Sequence, residues 1–269
     1  MRSWSLALKS TECQGPGSAA AVGGPGPGRT TENAATGGRA GGGSGGDPPL
    51  GGSVVPVSAL PPDYDTDPGR WRSWRAPQDV PEMVAPELVG PVLDAGCGEG
   101  RLRSLLDGGV HWVGLDASPT QLAANPYRPV VRADMRRLPF ADHSFAEVVH
   151  LWCLYHLDDP VTAVAEAARV LRPGGRYLAC CAGRTCDPEL VPEGYPPTTF
   201  DAEEAAGVVA SVFGLVEAER WDGRFYPLRT REEVRAYCRH NDIDPVRAED
   251  PPLPLWLTKR GVLVRAAKA

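Results

Sequence analysis

Asp94-Ala95-Gly96-Cys97-Gly98-Glu99-Gly100 is the stretch of this 269-residue chain whose residue types can do the most chemistry. Alternate glycines let bare backbone approach a ligand, and a turn of this kind that opens a helix aims N–H groups at it. Asp94, directly before the glycines, repels a phosphate but suits an ammonium, directly or through water. Two further carboxylates stand in similar places. Asp116 closes the apolar run Val110 to Leu115, and Asp134 closes Pro129 to Ala133. Asp116 can accept from both hydroxyls of a ribose. Asp134 can accept from an adenine amino group while Met135 packs on the ring. Taken singly, Asp116 reads equally as a surface residue in a strand-to-helix turn, and Asp134 as a loop residue beside a core methionine. Their joint placement favours the ligand roles.

The glycine spacing narrows the ligand. A dinucleotide site uses Gly-x-Gly-x-x-Gly, the last glycine allowing close helix packing. Gly96 and Gly98 fit, but Arg101 stands at the third position. An oxidoreductase binding a nicotinamide dinucleotide is the rival reading, and Arg101 and Asp94 count against it.

These residues need strands that end where they begin. Pro91 to Ala95 reads as a buried strand, with a helix over Gly100 to Leu106 that Gly108-Gly109 stops. Val110 to Leu115 is a second strand. Ser118 can cap the next helix and Pro119 suits its first turn. Pro129 to Ala133 and Ala146 to Leu151 are further strands. Val161, Val164, Ala167, Ala168 and Leu171 recur at helical spacing, and Arg172-Pro173-Gly174-Gly175 ends that helix. Tyr177 to Cys181 follows as a strand. Ala202 to Val212 and Glu232 to Cys238 read as helices, with strands over Val216 to Trp221 and Gly261 to Ala267. The expected fold class is α/β: a doubly wound, mostly parallel seven-stranded sheet with helices on both faces.

About half of the 31 glycines precede residue 53. Residues 1–58, with almost nothing apolar to bury, read as a disordered Gly/Pro-rich tail. Residues 59–269 then form one domain. Within it, 59–88 is an N-terminal lid containing Tyr64, Trp71 and Trp74, 90–183 is a cofactor-binding core, and 222–258 is a substrate-side insertion. A net charge of -6 argues against nucleic-acid or anionic-membrane partners. Two clusters of arginines, Arg70, Arg72 and Arg75, and Arg132, Arg136 and Arg137, read as a solvated surface. Seven cysteines without Cys-x-x-Cys spacing suggest neither a disulfide framework nor a metal site. No signal peptide and no membrane span is read, so the expected location is cytoplasmic. Oligomeric state is not legible.

Val92 to Gly100 resembles the first motif of the Rossmann-like, class I S-adenosylmethionine-dependent methyltransferases. Val113-Gly114-Leu115-Asp116-Ala117-Ser118 resembles their ribose-binding second strand, and Ala133-Asp134-Met135 with Leu138-Pro139-Phe140 their adenine-side segment. Ser144-Phe145, Val148-Val149 and Arg172-Pro173-Gly174-Gly175 match further landmarks. The family often has an aspartate where Ala146 stands here, followed by Glu147. The resemblance covers about residues 90 to 183. It implies S-adenosyl-L-methionine as cofactor and a Rossmann-like fold. It implies that Asp94, Gly96, Cys97 and Gly98 surround the methionine moiety, Asp116 and Ala117 the ribose, and Asp134 and Met135 the adenine. His150 and Leu151 would line the floor near the sulfonium; His150 reads equally as a buried histidine facing away.

Methyl transfer from a sulfonium is an in-line displacement that needs no metal. The protein aligns nucleophile, methyl and sulfur in a desolvated site. A base is required only if the acceptor arrives protonated. Tyr155 and His156, just after the fourth strand, are the candidates, with packing under a helix as the alternative. Asn125-Pro126-Tyr127 is similar to an amino-methylating motif but precedes the third strand, and reads as a turn. A small organic acceptor is the expected partner. A catalytically silent binding subunit of the same family is the other alternative.

Overall fold

The computed structural model describes residues 80–269. The expected tail over 1–58 and the lid up to residue 79 lie outside the described residues. Seven strands form one sheet: β1 Val92–Ala95, β2 Trp112–Asp116, β3 Val130–Arg132, β4 Phe145–Leu151, β5 Leu171–Ala182, β6 Val216–Leu228 and β7 Leu255–Ala267. Their order is β3-β2-β1-β4-β5-β7-β6. β1 to β5 pair in parallel, and β7 runs antiparallel to both β5 and β6. The order reverses between β1 and β4, which opens a crevice at their C-terminal ends.

β1 and β2 are buried along their whole length because both faces are covered. On one face Leu93, Val113, Val148, Tyr177 and Val264 pack with α3 (Pro160–Val170) and α4 (Ala205–Phe213). On the other, Val92, Trp112, Val149, Leu178 and Leu263 pack with α1 (Val80–Val84), Leu102, Leu106 and Leu122 of α2 (Pro119–Ala124). Ser118 caps α2 as expected, its hydroxyl accepting from the Gln121 N–H, with Pro119 in the first turn. Glu147, at the departure from the family pattern, is buried. It accepts from Gly90 N–H at 2.7 Å and from Arg176 at 2.8 Å, tying the approach to β1 onto β4 and β5.

Two expectations change. Gly100 to Leu106 is not a regular helix but a series of turns, with bonds from Ser104 N–H to Gly100 O and from Leu105 and Leu106 N–H to Leu102 O. Gly100 at φ +84° breaks helical entry, and Asp107-Gly108-Gly109 follows before a helix can propagate. The strands expected over Val216 to Trp221 and Gly261 to Ala267 are longer and run into the stretch 222–258: β6 and β7 stay paired from Val216↔Ala266 to Leu228↔Leu255. β6 is an edge strand with many exposed residues, so hydropathy does not mark its full length. α5 (Arg231–His240) lies between the two strands in the chain, and Val234 and Tyr237 join Leu190, Leu228 and Leu257 in a separate small core.

One buried carboxylate pins this extension. Asp187 Oδ1 lies 2.6 Å from Lys259 Nζ of β7, and Oδ2 accepts from Tyr195 Oη at 3.0 Å and from Tyr237 Oη of α5. Substituting Asp187→Ala removes the shared acceptor of two phenols and an ammonium. It is expected to cost about 3–5 kcal/mol, read as a lowered urea midpoint at constant slope. A loss under about 1 kcal/mol would mean the network does not hold the extension.

Candidate functional site

At the end of β1 the chain reverses through the three glycines. Gly96 and Cys97 N–H both donate to Leu115 O, at 2.7 and 3.0 Å. Gly96, Gly98 and Gly100 have φ of +88°, +49° and +84°, the left-handed region. Space adds a second constraint. A Cβ on Gly96 would lie 2.6 Å from Cys153 Cβ, and one on Gly100 would lie 2.7 Å from Asn125 Oδ1 and Tyr127 Cδ2.

Asp116 closes the turn against β2. Its Oδ2 accepts from Gly98 N–H and its Oδ1 from Ser118 N–H, both at 2.9 Å. One carboxylate thus joins the tip of the glycine turn to the start of α2. Ala117, between them, is buried and its carbonyl accepts from Arg132 Nε at 3.2 Å. Asn125 braces the turn from the far end of α2, donating from Nδ2 to Gly98 O at 2.9 Å. The sequence reads Asn125 only as part of a turn, and no local signal connects it to Gly98.

Asp94 lies under the turn and is 3% exposed. Burial pushes its carboxyl up to about 7; the Trp112 hydrogen bond opposes this and the nearby Asp116 charge adds to it. Trp112 Nε1–H donates to Asp94 Oδ2 at 3.2 Å. The indole reaches Asp94 by lying over Gly114, where a Cβ would stand 2.4 Å from its Cη2. Trp112 and Gly114 therefore support Asp94, a candidate site residue, in a way that strand patterning alone does not reveal. Cys97 is a neutral thiol: burial first, then the Asp94 and Asp116 charges, push it well above the ordinary range.

Asp134 is less open than expected. Arg136 donates to it from the backbone N–H at 2.9 Å and from Nε and Nη2 at 2.8–3.1 Å, and reaches Asp158 with Nη1 at 2.5 Å. Burial raises the Asp134 carboxyl, but the Arg136 hydrogen bonds and charge outweigh this and hold it below its ordinary value. Arg136 is thus a partner of Asp134 and not part of a merely solvated surface. Met135 is buried with Leu93 and Ala95, and its Cε would lie 3.5 Å from a Cβ on Gly96.

β4 separates its two candidates by alternation. Leu151 packs with Val149 and Cys97, on the side of Trp112. His150 points the other way: its Nδ1 lies 2.8 Å from Tyr177 Oη, in the core beneath α3 and α4, and its Nε2 has no partner. Burial lowers its pKa to about 3, so it is neutral. Of the two readings, the structure takes the buried histidine facing away. After β4, Leu154–His156 forms a 3-10 turn in which Tyr155 packs against that same core and His156 is exposed. Among the described residues, no group of three or more His, Cys, Asp or Glu is placed to hold a metal ion. No described helix is long and apolar enough to cross a membrane. A cavity of about 160 Å³ lined by Pro91, Arg103, His111, Trp112 and Arg128 lies at the N-terminal ends of the strands. That is the wrong edge for a ligand of an open parallel sheet.

Residues 93–179 match a family model described as a methyltransferase domain. A demethylmenaquinone methyltransferase from Mycobacterium sp. (strain KMS) is 38% identical over 118 residues, covering 42% of this chain and 49% of the relative. Another from Symbiobacterium thermophilum is 30% identical over 135 residues, covering 43% and 51%. The chain thus spans about half the length of the curated relatives it matches. Among solved structures, a methyltransferase-like protein from Bacillus halodurans C-125 superposes with a TM-score of 0.50 at 16% identity, over 70% of this chain and 97% of the other. The cyclase SpnF does so with 0.51 at 20%, over 70% and 80%. At these identities the superpositions speak for the fold alone.

The buried Asp94 carries a pH signature. Its carboxyl ionises near 3.8 when solvated and near 7 in the fold, so the native state holds the proton more tightly. Its contribution to stability is present below about pH 4 and is lost as pH rises through 7. Asp94→Asn is therefore expected to stabilise the protein at pH 8 by about 2–4 kcal/mol and to gain little at pH 4. Urea denaturation at both values checks this; an equal shift at the two pH values would contradict it.

Proposed function

We propose that this chain, whose residues 93–179 match a family model described as a methyltransferase domain, is a class I S-adenosylmethionine-dependent methyltransferase that transfers a methyl group by in-line displacement to a small organic acceptor. The observation that carries the reading is the meeting of Asp94, the left-handed glycine turn and Asp116 at the C-terminal ends of β1 and β2.

These residues fit the cofactor. Asp94 is a buried carboxylate whose charge is poorly stabilised, and a ligand ammonium would supply the missing counter-charge. Asp116 accepts from Gly98 N–H and Ser118 N–H, and a carboxylate at the C-terminal end of β2 is the acceptor type that a ribose hydroxyl needs. Asp134 must share its oxygens with Arg136 to hold an adenine amino group. When bound, S-adenosylmethionine supplies a methyl on a sulfonium, which is a good leaving group. The chain's own work is to orient that methyl and exclude water, with Cys97 and Leu151 as apolar walls. A base is needed only for a protonated acceptor, and Tyr155 and His156 stay the candidates for it.

The names of the relatives make demethylmenaquinone the first acceptor to test, since it is a small organic molecule of the expected class. Against a nicotinamide dinucleotide stand Asp94, which would face a pyrophosphate, and Arg101. The latter takes the place of the third glycine and pairs outward with Glu82 at 2.7 Å. A silent binding subunit would bind the cofactor and transfer nothing.

Calorimetry with S-adenosylmethionine, S-adenosylhomocysteine and NAD separates these classes, and a methyl-labelled cofactor with an acceptor panel separates enzyme from silent subunit. Binding of the two sulfur compounds and not NAD is expected; the reverse would end the proposal. Asp116→Ala should weaken S-adenosylhomocysteine binding by about 1.5–3 kcal/mol, the range for hydrogen bonds to a charged group. An unchanged affinity would remove Asp116 from the ribose.

A further inference from the structure

We propose that Trp152 and Trp221 form the wall against which a planar, π-rich acceptor ring is held; this rests on the methyl-transfer reading above. Trp152 follows the last residue of β4 and has φ +58°. A bulky residue in the left-handed region is an outlier, and such strain persists where the surroundings hold it, often at ligand sites. Two contacts hold it here. Its N–H donates to Cys180 O of β5 at 3.2 Å. The next residue, Cys153, donates from Sγ to Ala95 O at 3.3 Å and packs directly on Gly96. The strained residue is thus fastened to the glycine turn through its neighbour.

The side chain stands on the face that carries Trp112 and Cys97, opposite His150 and Tyr177. There it meets Trp221 of β6 edge-on, with ring centroids 6.1 Å apart and planes at 66°. Trp221 lies across β7 at Gly261, where a Cβ would stand 2.1 Å from its Cζ2. That glycine keeps the indole flat on the sheet. Both indoles are only half-buried, whereas the core aromatics Phe145 and Tyr177 are fully buried. Two indoles crossing at this angle make a corner in which a flat ring stacks on one and meets the edge of the other. In the methionine moiety the sulfonium is close to the ammonium that Asp94 is suited to hold. Trp152 stands at the C-terminal end of β4, one residue from Cys153, which packs on Gly96, so the corner borders the glycine turn of the candidate site. An apolar aromatic or conjugated ring is the class of acceptor it fits.

The test uses the 269-residue chain saturated with S-adenosylhomocysteine and titrated calorimetrically with 2-naphthol, then with its fully saturated analogue decahydro-2-naphthol. The aromatic probe is expected to bind roughly tenfold more tightly than the saturated one. Trp152→Leu and Trp221→Leu should each weaken it by roughly tenfold, and Trp152→Phe and Trp221→Phe by less than about threefold. S-adenosylhomocysteine affinity should match the parent in all four. If a leucine variant does not fold, the phenylalanine variants and the saturated probe still decide. No preference for the aromatic probe, or unchanged affinity in the folded leucine variants, overturns the wall and leaves methyl transfer standing. Failure of the parent to bind S-adenosylhomocysteine overturns the methyl-transfer reading, and the wall with it.

Discussion

The carboxylate of Asp116 is the interaction on which the site's geometry depends. It accepts from Gly98 and Ser118 at once, so the glycine turn and the first turn of α2 share one acceptor. A turn built of left-handed glycines has little stiffness of its own, because glycine loses the most freedom on ordering. Stiffness is supplied from outside: Asp116 from β2, Asn125 from the end of α2, and Leu115 O beneath. Three residues from two successive elements, β2 and α2, converge on a loop that no single one would hold.

Asp94 brings a second constraint, which opposes stability. A buried carboxyl with only an indole N–H beside it is poorly solvated when charged. The fold nonetheless builds around it, leaving Gly114 bare so that the Trp112 indole can reach it. That cost accords with the ammonium-holding role proposed for Asp94. Asp187 is the contrast. It is equally buried, but two phenols and an ammonium meet its oxygens, and its work is to hold the β6–β7 extension.

The sheet then divides labour between its faces. One face, under α3 and α4, is ordinary core, and His150 belongs to it despite its place beside the site. The other carries Trp112, Cys97, Leu151, Trp152 and Trp221. The period-2 alternation of a strand sends neighbours to opposite sides, so adjacency in sequence at the end of β4 says little about shared chemistry.

The sequence by itself determined the parallel α/β core, the place of the glycine turn and the positions of Asp94, Asp116 and Asp134. These are local signals: apolar runs that stop at a carboxylate, glycines at fixed spacing, and Ser118-Pro119 at a helix start. Only the tertiary structure decided what depends on distant pairing. It decided that Gly100 interrupts a helix the apolar spacing suggests, and that residues beyond 222 continue a strand whose exposed edge hides it from hydropathy. It decided that Arg136 occupies Asp134, that Trp112 serves Asp94, and that His150 turns away. The physical reason is common to all of them. Patterning records which residues prefer burial or a given backbone conformation, while the partner of a polar group depends on which strands and loops the fold brings beside it.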